Sequence, residues 1–202
     1  MRHIFILLLA LFLITTPSLA DDKTEVSALL QGRIDTVVSL LKDKSLDKPS
    51  RNAKIIETVT PIFNYEAMAK LSLGKKYWPA LNDEKKVEFS DLFIKRLQTS
   101  YLDKLDIYTD EEISYGEPQI SGSQIHIPTT LVSPDNKIEI LYKFYRSSDG
   151  WKIYDVEVGG VSVIQTYRSQ FDDVLSKGTI DDLLEKLKND GGFTEPAIEA
   201  KS

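Results

Sequence analysis

The chain has 202 residues, with 31 acidic and 25 basic side chains and no cysteine. Its net charge of −6 argues against nucleic-acid binding and against adhesion to anionic membranes, because phosphates and acidic headgroups repel an acidic protein. Without cysteine no disulfide framework is possible, so the fold has to rest on a hydrophobic core.

The N-terminal residues 1–20 predict a secretory signal peptide. A short positive start is followed by an unbroken apolar run over residues 4–14, and small residues at 18 and 20 precede a cleavage site before Asp21. The run is much shorter than the ~20 residues that a membrane-spanning helix needs. An exported chain without cysteine indicates a bacterial periplasmic protein.

The remaining chain predicts a single domain over residues 21–190, with a loose tail over 191–202. Hydrophobic side chains recur at three- and four-residue steps from 23 to about 108, which predicts amphipathic helices. On the longest of these the apolar stripe consists of Phe89, Phe93, Leu97, Tyr101, Leu105 and Tyr108. Periodicity alone favours a core for this stripe over a ligand-binding wall.

Between residues 111 and 158 the apolar period falls to two, which predicts about four antiparallel strands. Turn sequences at 134–136 and 148–150 separate these strands, and two further helices follow Gly159-Gly160. Helices, a strand meander and helices in this order predict an α+β fold. We expect a twisted antiparallel sheet with helices packed on one face, enclosing an apolar cavity in a cone.

The predicted domain contains few of the residue types that commonly carry catalysis or bind metals. His126 is its only histidine and cysteine is absent, so neither a zinc site nor a Ser-His-Asp arrangement has its usual residues. We therefore predict no enzyme activity, no metal and no cofactor.

Three segments resemble one known family. Residues 64–78 contain its "MA, LG, W" pattern, and the stripe over 89–108 is similar to its long helix. The most specific signature is WKIYDV at 151–156, followed at a fixed spacing by YRSQF at 167–171. On these segments, which span roughly residues 25–188, the chain is identified as a member of the MlaC family, also called the toluene-tolerance or organic-solvent-resistance family.

The resemblance implies a monomeric periplasmic carrier that shuttles glycerophospholipid between the outer membrane and an MCE-type ABC transporter in the inner membrane, maintaining outer-membrane lipid asymmetry. Its partners would be the phospholipid, an outer-membrane lipoprotein/porin complex and that transporter. The implied fold is a cone of the NTF2-like kind, with the lipid tails between sheet and helices.

Face periodicity and motif position together select the residues expected to contact the lipid tails. They are Leu73, Tyr77, Trp78, Phe93, Leu97, Tyr101, Ile140, Tyr142, Phe144, Val156, Val161, Ile164 and Tyr167. Arg168 is placed either at the cavity mouth, where it would reach a phosphate, or in a structural salt bridge with an acid such as Asp155.

Two other functions stay open at this point. One is a chaperone for lipidated or unfolded outer-membrane proteins, although such a role favours an open, mostly β groove and this chain is more helical. The other is a small-molecule enzyme on an NTF2-like cone, with Tyr142 or Tyr154 and Asp155 as acid and base. Tyr154 and Asp155 are neighbours in a strand and point to opposite faces, which disfavours a shared pocket.

Overall fold

A computed structural model describes residues 19–105, 112–133, 136–189 and 192–194. The predicted signal peptide up to residue 18, Tyr108, the turn residues 134–135 and positions 195–202 lie outside these ranges. The described helices are α1 (Leu19–Lys42), α2 (Lys48–Val59), α3 (Tyr65–Tyr77), α4 (Asp83–Leu105), α5 (Val163–Lys177) and α6 (Ile180–Lys188). The described strands are β1 (Glu112–Tyr115), β2 (Gln119–Ser121), β3 (Gln124–Ser133), β4 (Asn136–Ser147), β5 (Gly150–Val158) and β6 (Val161–Ser162).

The strands form one antiparallel sheet in the order β1-β3-β4-β5-β6, with β2 paired to the other end of β3. The predicted α+β fold is confirmed, but the described part of the sheet has six strands where about four were expected. The two additional strands, β2 and β6, contain three and two residues. Such short segments cannot display an alternating pattern, so their pairing is visible only in the folded chain.

Two separate cores hold the helices and the sheet together. The helical core lies between α3, α4, α5 and α6. It contains aromatic rings that meet edge to face, with the Phe93 and Tyr167 centroids 5.1 Å apart and those of Phe89 and Phe171 5.5 Å apart. The sheet core lies between α1 and the strands. It contains Val26, Leu30, Ile62, Ile125, Ile127, Phe144, Trp151 and Ile153.

The C-terminal residues 192–194 are docked on the helical core. Phe193 is only 5% exposed, and its ring lies 5.1 Å from that of Phe171. The Gln170 amide donates to the Thr194 carbonyl over 2.7 Å and accepts from the Thr194 N–H over 2.9 Å. These contacts hold residues 192–194 against the helical core, and a single anchoring aromatic leaves no periodic signal from which the sequence could predict them.

Helix α3 contains a break at Gly74, whose φ of 69° and ψ of −177° lie in a region that is open essentially only to glycine. Arg168 of α5 lies against this glycine, since a Cβ built there would stand 3.0 Å from the Arg168 Nε. The LG pair of the first family motif and the YRSQF segment of the last one are thus packed on each other.

We expect Gly74→Ala to lower the free energy of unfolding by about 1–3 kcal/mol, because alanine is strained at this φ and its methyl group displaces Arg168. Gly32→Ala is the matched control. Gly32 lies within α1, where an added Cβ would meet nothing within 4 Å, so alanine there should stabilise by about 0.5–1 kcal/mol. Urea unfolding measures the free energy of unfolding of both variants. If both substitutions changed it in the same direction, the strain assigned to Gly74 would be contradicted.

Candidate functional site: an apolar cavity

A cavity of about 360 Å³ lies between the sheet on one side and helices α1, α2 and α4 on the other. This volume falls in the range of ligand-binding pockets, about 300–1,000 Å³. Its walls are almost entirely hydrophobic side chains, and their arrangement follows from the periodicity of the elements that carry them.

The sheet forms the floor of the cavity. The cross-strand register pairs Ile140 with Val158 and Tyr142 with Val156, so all four side chains share the face that lines the cavity. Thr129 of β3, opposite Ile140, is only 2% exposed and extends the same face. Alternation along the strands therefore selects the floor residues.

Helices α1 and α2 cover the floor. The cavity-lining residues of α1 include Leu30, Ile34, Val37 and Leu41, whose three- and four-residue spacing keeps them on one face of the helix. Helix α2 adds three aliphatic side chains at positions 55, 56 and 59. The Asp47 side chain begins α2 by accepting a hydrogen bond from the Ser50 N–H over 2.8 Å.

The long helix α4 contributes to both the helical core and the cavity. Phe89 and Phe93 of its N-terminal half are fully buried against α5. Leu97, Tyr101 and Leu105 continue the same stripe and line the cavity. The two interpretations of this stripe, core and ligand wall, thus each hold for one half of the helix.

Five of the thirteen expected tail contacts lie in the cavity wall: Leu97, Tyr101, Ile140, Tyr142 and Val156. Six others pack in or against the helical core: Leu73, Tyr77, Trp78, Phe93, Ile164 and Tyr167. Phe144 belongs to the sheet core, and Val161 is 50% exposed on the short strand β6. Face periodicity and motif position do not separate these eight from the five that line the cavity. The motif segments build much of the packing beside the cavity and also supply part of its lining, including Leu97, Tyr101 and Val156.

Sequence reasoning missed the wall residues of α1 and α2 as ligand contacts. Their amphipathic stripes were visible, and the helices were predicted from them. A stripe shows only that one face avoids water, however. It does not show whether that face meets other side chains or open space, because both remove the same apolar surface from water.

Two tyrosines of the cavity wall, Tyr65 and Tyr142, are neutral. Burial raises the pKa of Tyr142 to about 12. Burial also raises the pKa of Tyr65, while hydrogen bonds with Gln98 and Thr60 oppose the rise. Both phenols thus keep their protons at neutral pH and add no negative charge to the cavity.

Arg168 and Asp155 have roles that differ from the expectation. Arg168 is exposed and lies against Gly74, outside the cavity lining. Asp155, 5% exposed, accepts hydrogen bonds from the Ser162 hydroxyl over 2.8 Å and from the Ile164 N–H over 3.2 Å. The alternative of an Arg168–Asp155 salt bridge is wrong, because the Asp155 carboxylate caps helix α5 and pairs with Lys143 at 3.3 Å.

The acid and base considered for an enzyme do not meet in the cavity. Only Tyr142 of the three residues lines it, whereas the Tyr154 hydroxyl donates to the Gln124 side chain over 2.8 Å and Asp155 is engaged at α5. The described residues contain no group of three His, Cys, Asp or Glu side chains that could hold a metal ion. Among those same residues, no helix combines the length and hydrophobicity of a membrane span.

An α+β domain with a ligand-sized apolar cavity between its sheet and its helices belongs to the class of hydrophobic-ligand-binding proteins. The sequence model of the family described as MlaC protein matches residues 31–189. This match covers most of the chain, and the chain belongs to the MlaC family, as its motifs predict.

Two known proteins show what the chain is similar to. The intermembrane phospholipid transport system binding protein MlaC of Haemophilus influenzae is 24% identical over 191 residues, which cover 89% of this chain and 87% of that protein. The solved structure of a phospholipid-binding protein from Ralstonia solanacearum, in complex with a phospholipid, aligns with a TM-score of 0.72 at 20% identity. The alignment covers 80% of this chain and 93% of the other, which shows a common fold.

Proposed function

We propose that this protein is a periplasmic carrier that holds the acyl tails of a glycerophospholipid in the apolar cavity and moves the lipid between the outer membrane and an MCE-type ABC transporter in the inner membrane. The cavity of about 360 Å³ between sheet and helices is the observation that carries the proposal. The family membership and the intermembrane phospholipid transport named for the Haemophilus influenzae relative support it.

The size of the hydrophobic effect explains why such a carrier needs an internal cavity. A lipid with two tails has on the order of 25 methylenes, and removing each from water contributes about 0.8 kcal/mol, or roughly 20 kcal/mol in all. A shallow surface patch cannot cover that much apolar area. A cavity walled by aliphatic side chains from α1, α2, α4 and the sheet can.

The charge of the protein bears on how lipid is loaded and released. With 31 acidic against 25 basic residues, the chain gains no long-range attraction to anionic bilayers. We infer that it exchanges lipid by docking on protein partners, an outer-membrane lipoprotein/porin complex and the transporter, and that this exchange maintains the lipid asymmetry of the outer membrane.

The test is to purify the protein from the periplasm of a bacterial host without detergent and to identify the co-extracted molecules by mass spectrometry. We expect diacyl phospholipid at close to one molecule per protein. A co-purified polypeptide would support the chaperone alternative instead, and an empty cavity together with substrate turnover would support the enzyme. Either of these results would contradict the carrier.

A further inference from the structure

The charges in the cavity lining are the reverse of those of the whole chain. Acidic residues outnumber basic ones over the full sequence, 31 to 25. Among the described residues that line the cavity there are two cations, Arg33 and Lys104, and no aspartate or glutamate. An otherwise apolar cavity with only positive charges favours a ligand that combines hydrocarbon with an anionic group.

Arg33 is the more unusual of the two cations. It is half-buried in α1, three residues after Leu30, whose side chain is 1% exposed. The part of the chain that the structure describes supplies no hydrogen-bond or ion-pair partner for its guanidinium. A guanidinium partly removed from water without an anion is unfavourable, so its position beside the cavity indicates that the anion comes from the ligand.

Other arginines of the protein show the contrast. Arg146 pairs with Asp22 at the start of α1, and the Arg96 side chain donates to the Phe193 carbonyl over 2.7 Å. Each of these guanidinium groups has a structural role in joining two segments. Arg33 joins none of the described segments by a polar contact.

Lys104 is held beside the cavity by its own helix. Its Nζ lies 5.2 Å from the centre of the Tyr101 ring, one turn earlier in α4, and that ring lines the cavity. A cation over an aromatic face is attracted by the ring's quadrupole.

We propose that Arg33 and Lys104 bind the phosphate of the lipid whose tails occupy the cavity, an inference that rests on the proposed carrier function. A phosphodiester carries its charge at every physiological pH and joins the tails through glycerol, so it lies within reach of residues beside the tail cavity. The guanidinium of Arg33 can donate two parallel hydrogen bonds to phosphate oxygens. Lys104 of α4 adds the second positive charge of the cavity lining.

The test separates the phosphate from the tails by comparing two lipids with identical acyl chains. Delipidated protein is titrated with dioleoylphosphatidylglycerol and, separately, with dioleoylglycerol, which has no phosphate. We expect Arg33→Gln to weaken phosphatidylglycerol binding about tenfold, the typical effect of one charge-assisted contact, and Lys104→Gln to weaken it by a smaller factor. Neither variant should change the affinity for dioleoylglycerol.

Lys95→Gln is the matched control, because Lys95 is exposed on α4 outside the cavity lining and its replacement removes the same charge. Thermal unfolding confirms that each variant is folded. If Arg33→Gln and Lys104→Gln lost affinity equally for both lipids, or lost none for either, the phosphate site would be overturned. Oleic acid is titrated as a third ligand, and a larger loss of affinity for it than for phosphatidylglycerol would also overturn the phosphate site, since Arg33 and Lys104 would then bind a carboxylate. If the unmodified protein binds neither diacyl lipid, the carrier function itself fails.

Discussion

Replacing Val156 with tryptophan is expected to reduce the phospholipid that co-purifies with the protein by at least tenfold. Val156 lies on the floor of the cavity, across from Tyr142 on the neighbouring strand. An indole ring at this position would occupy space that the lipid tails need. Because the ring extends into a cavity and not into packed core, overpacking strain should stay at or below about 1–3 kcal/mol.

The measurement is the molar ratio of lipid phosphorus to protein after purification without detergent, together with the thermal midpoint of unfolding. Val161→Trp is the matched control, since Val161 is 50% exposed on β6 and lies outside the cavity lining. That variant should retain its lipid. If both variants keep the same amount of phospholipid, the tails are held somewhere other than the described cavity.

Asp155→Ala is expected to lower the free energy of unfolding by about 3–5 kcal/mol, the usual effect of removing one partner from a buried ion pair. Asp155 is 5% exposed, and its removal leaves the Ile164 N–H and the Ser162 hydroxyl without their acceptor. It also removes one of the two carboxylates that pair with Lys143, Glu157 being the other.

Urea unfolding and calorimetry measure this loss, which corresponds to a fall in the thermal midpoint of roughly 6–20 °C for a protein of this size. Asp103→Ala is the control, because Asp103 is two-thirds exposed and its pair with Lys48 spans 3.7 Å. An exposed pair of this kind contributes less than about 1 kcal/mol. Equal unfolding midpoints for the two variants would show that the Asp155 network does not stabilise the fold.

The Asp155 network also explains the most specific motif of the family. Asp155 is the second-to-last residue of the WKIYDV segment. Ser162 is the N-cap of α5, and its hydroxyl accepts a hydrogen bond from the Gln165 N–H over 3.0 Å. Together they fix the turn from β5 through β6 into α5, on which YRSQF lies. The neighbouring Val163 lines the cavity, so this turn positions part of the wall. The motif is therefore mainly structural, and its spacing reflects the length of the turn.

Much of the architecture follows from the amino-acid pattern alone. Three- and four-residue periodicity in the first half and alternation between 111 and 158 predict helices followed by an antiparallel sheet, and three motifs identify the family. Alternation also places Ile140 and Tyr142 on one face, and both line the cavity. These features are local, because a period depends only on which side of its own element a residue occupies.

The location of the cavity is decided by tertiary packing. The α4 stripe is continuous in the sequence, yet Phe93 is buried against Tyr167 while Leu97 and Tyr101 face open space. The position of Arg33 beside that space and the docking of Phe193 likewise depend on segments distant in the sequence. A hydrophobic pattern predicts that a side chain is removed from water. Whether that side chain then contacts another side chain or an empty volume depends on how several elements are arranged.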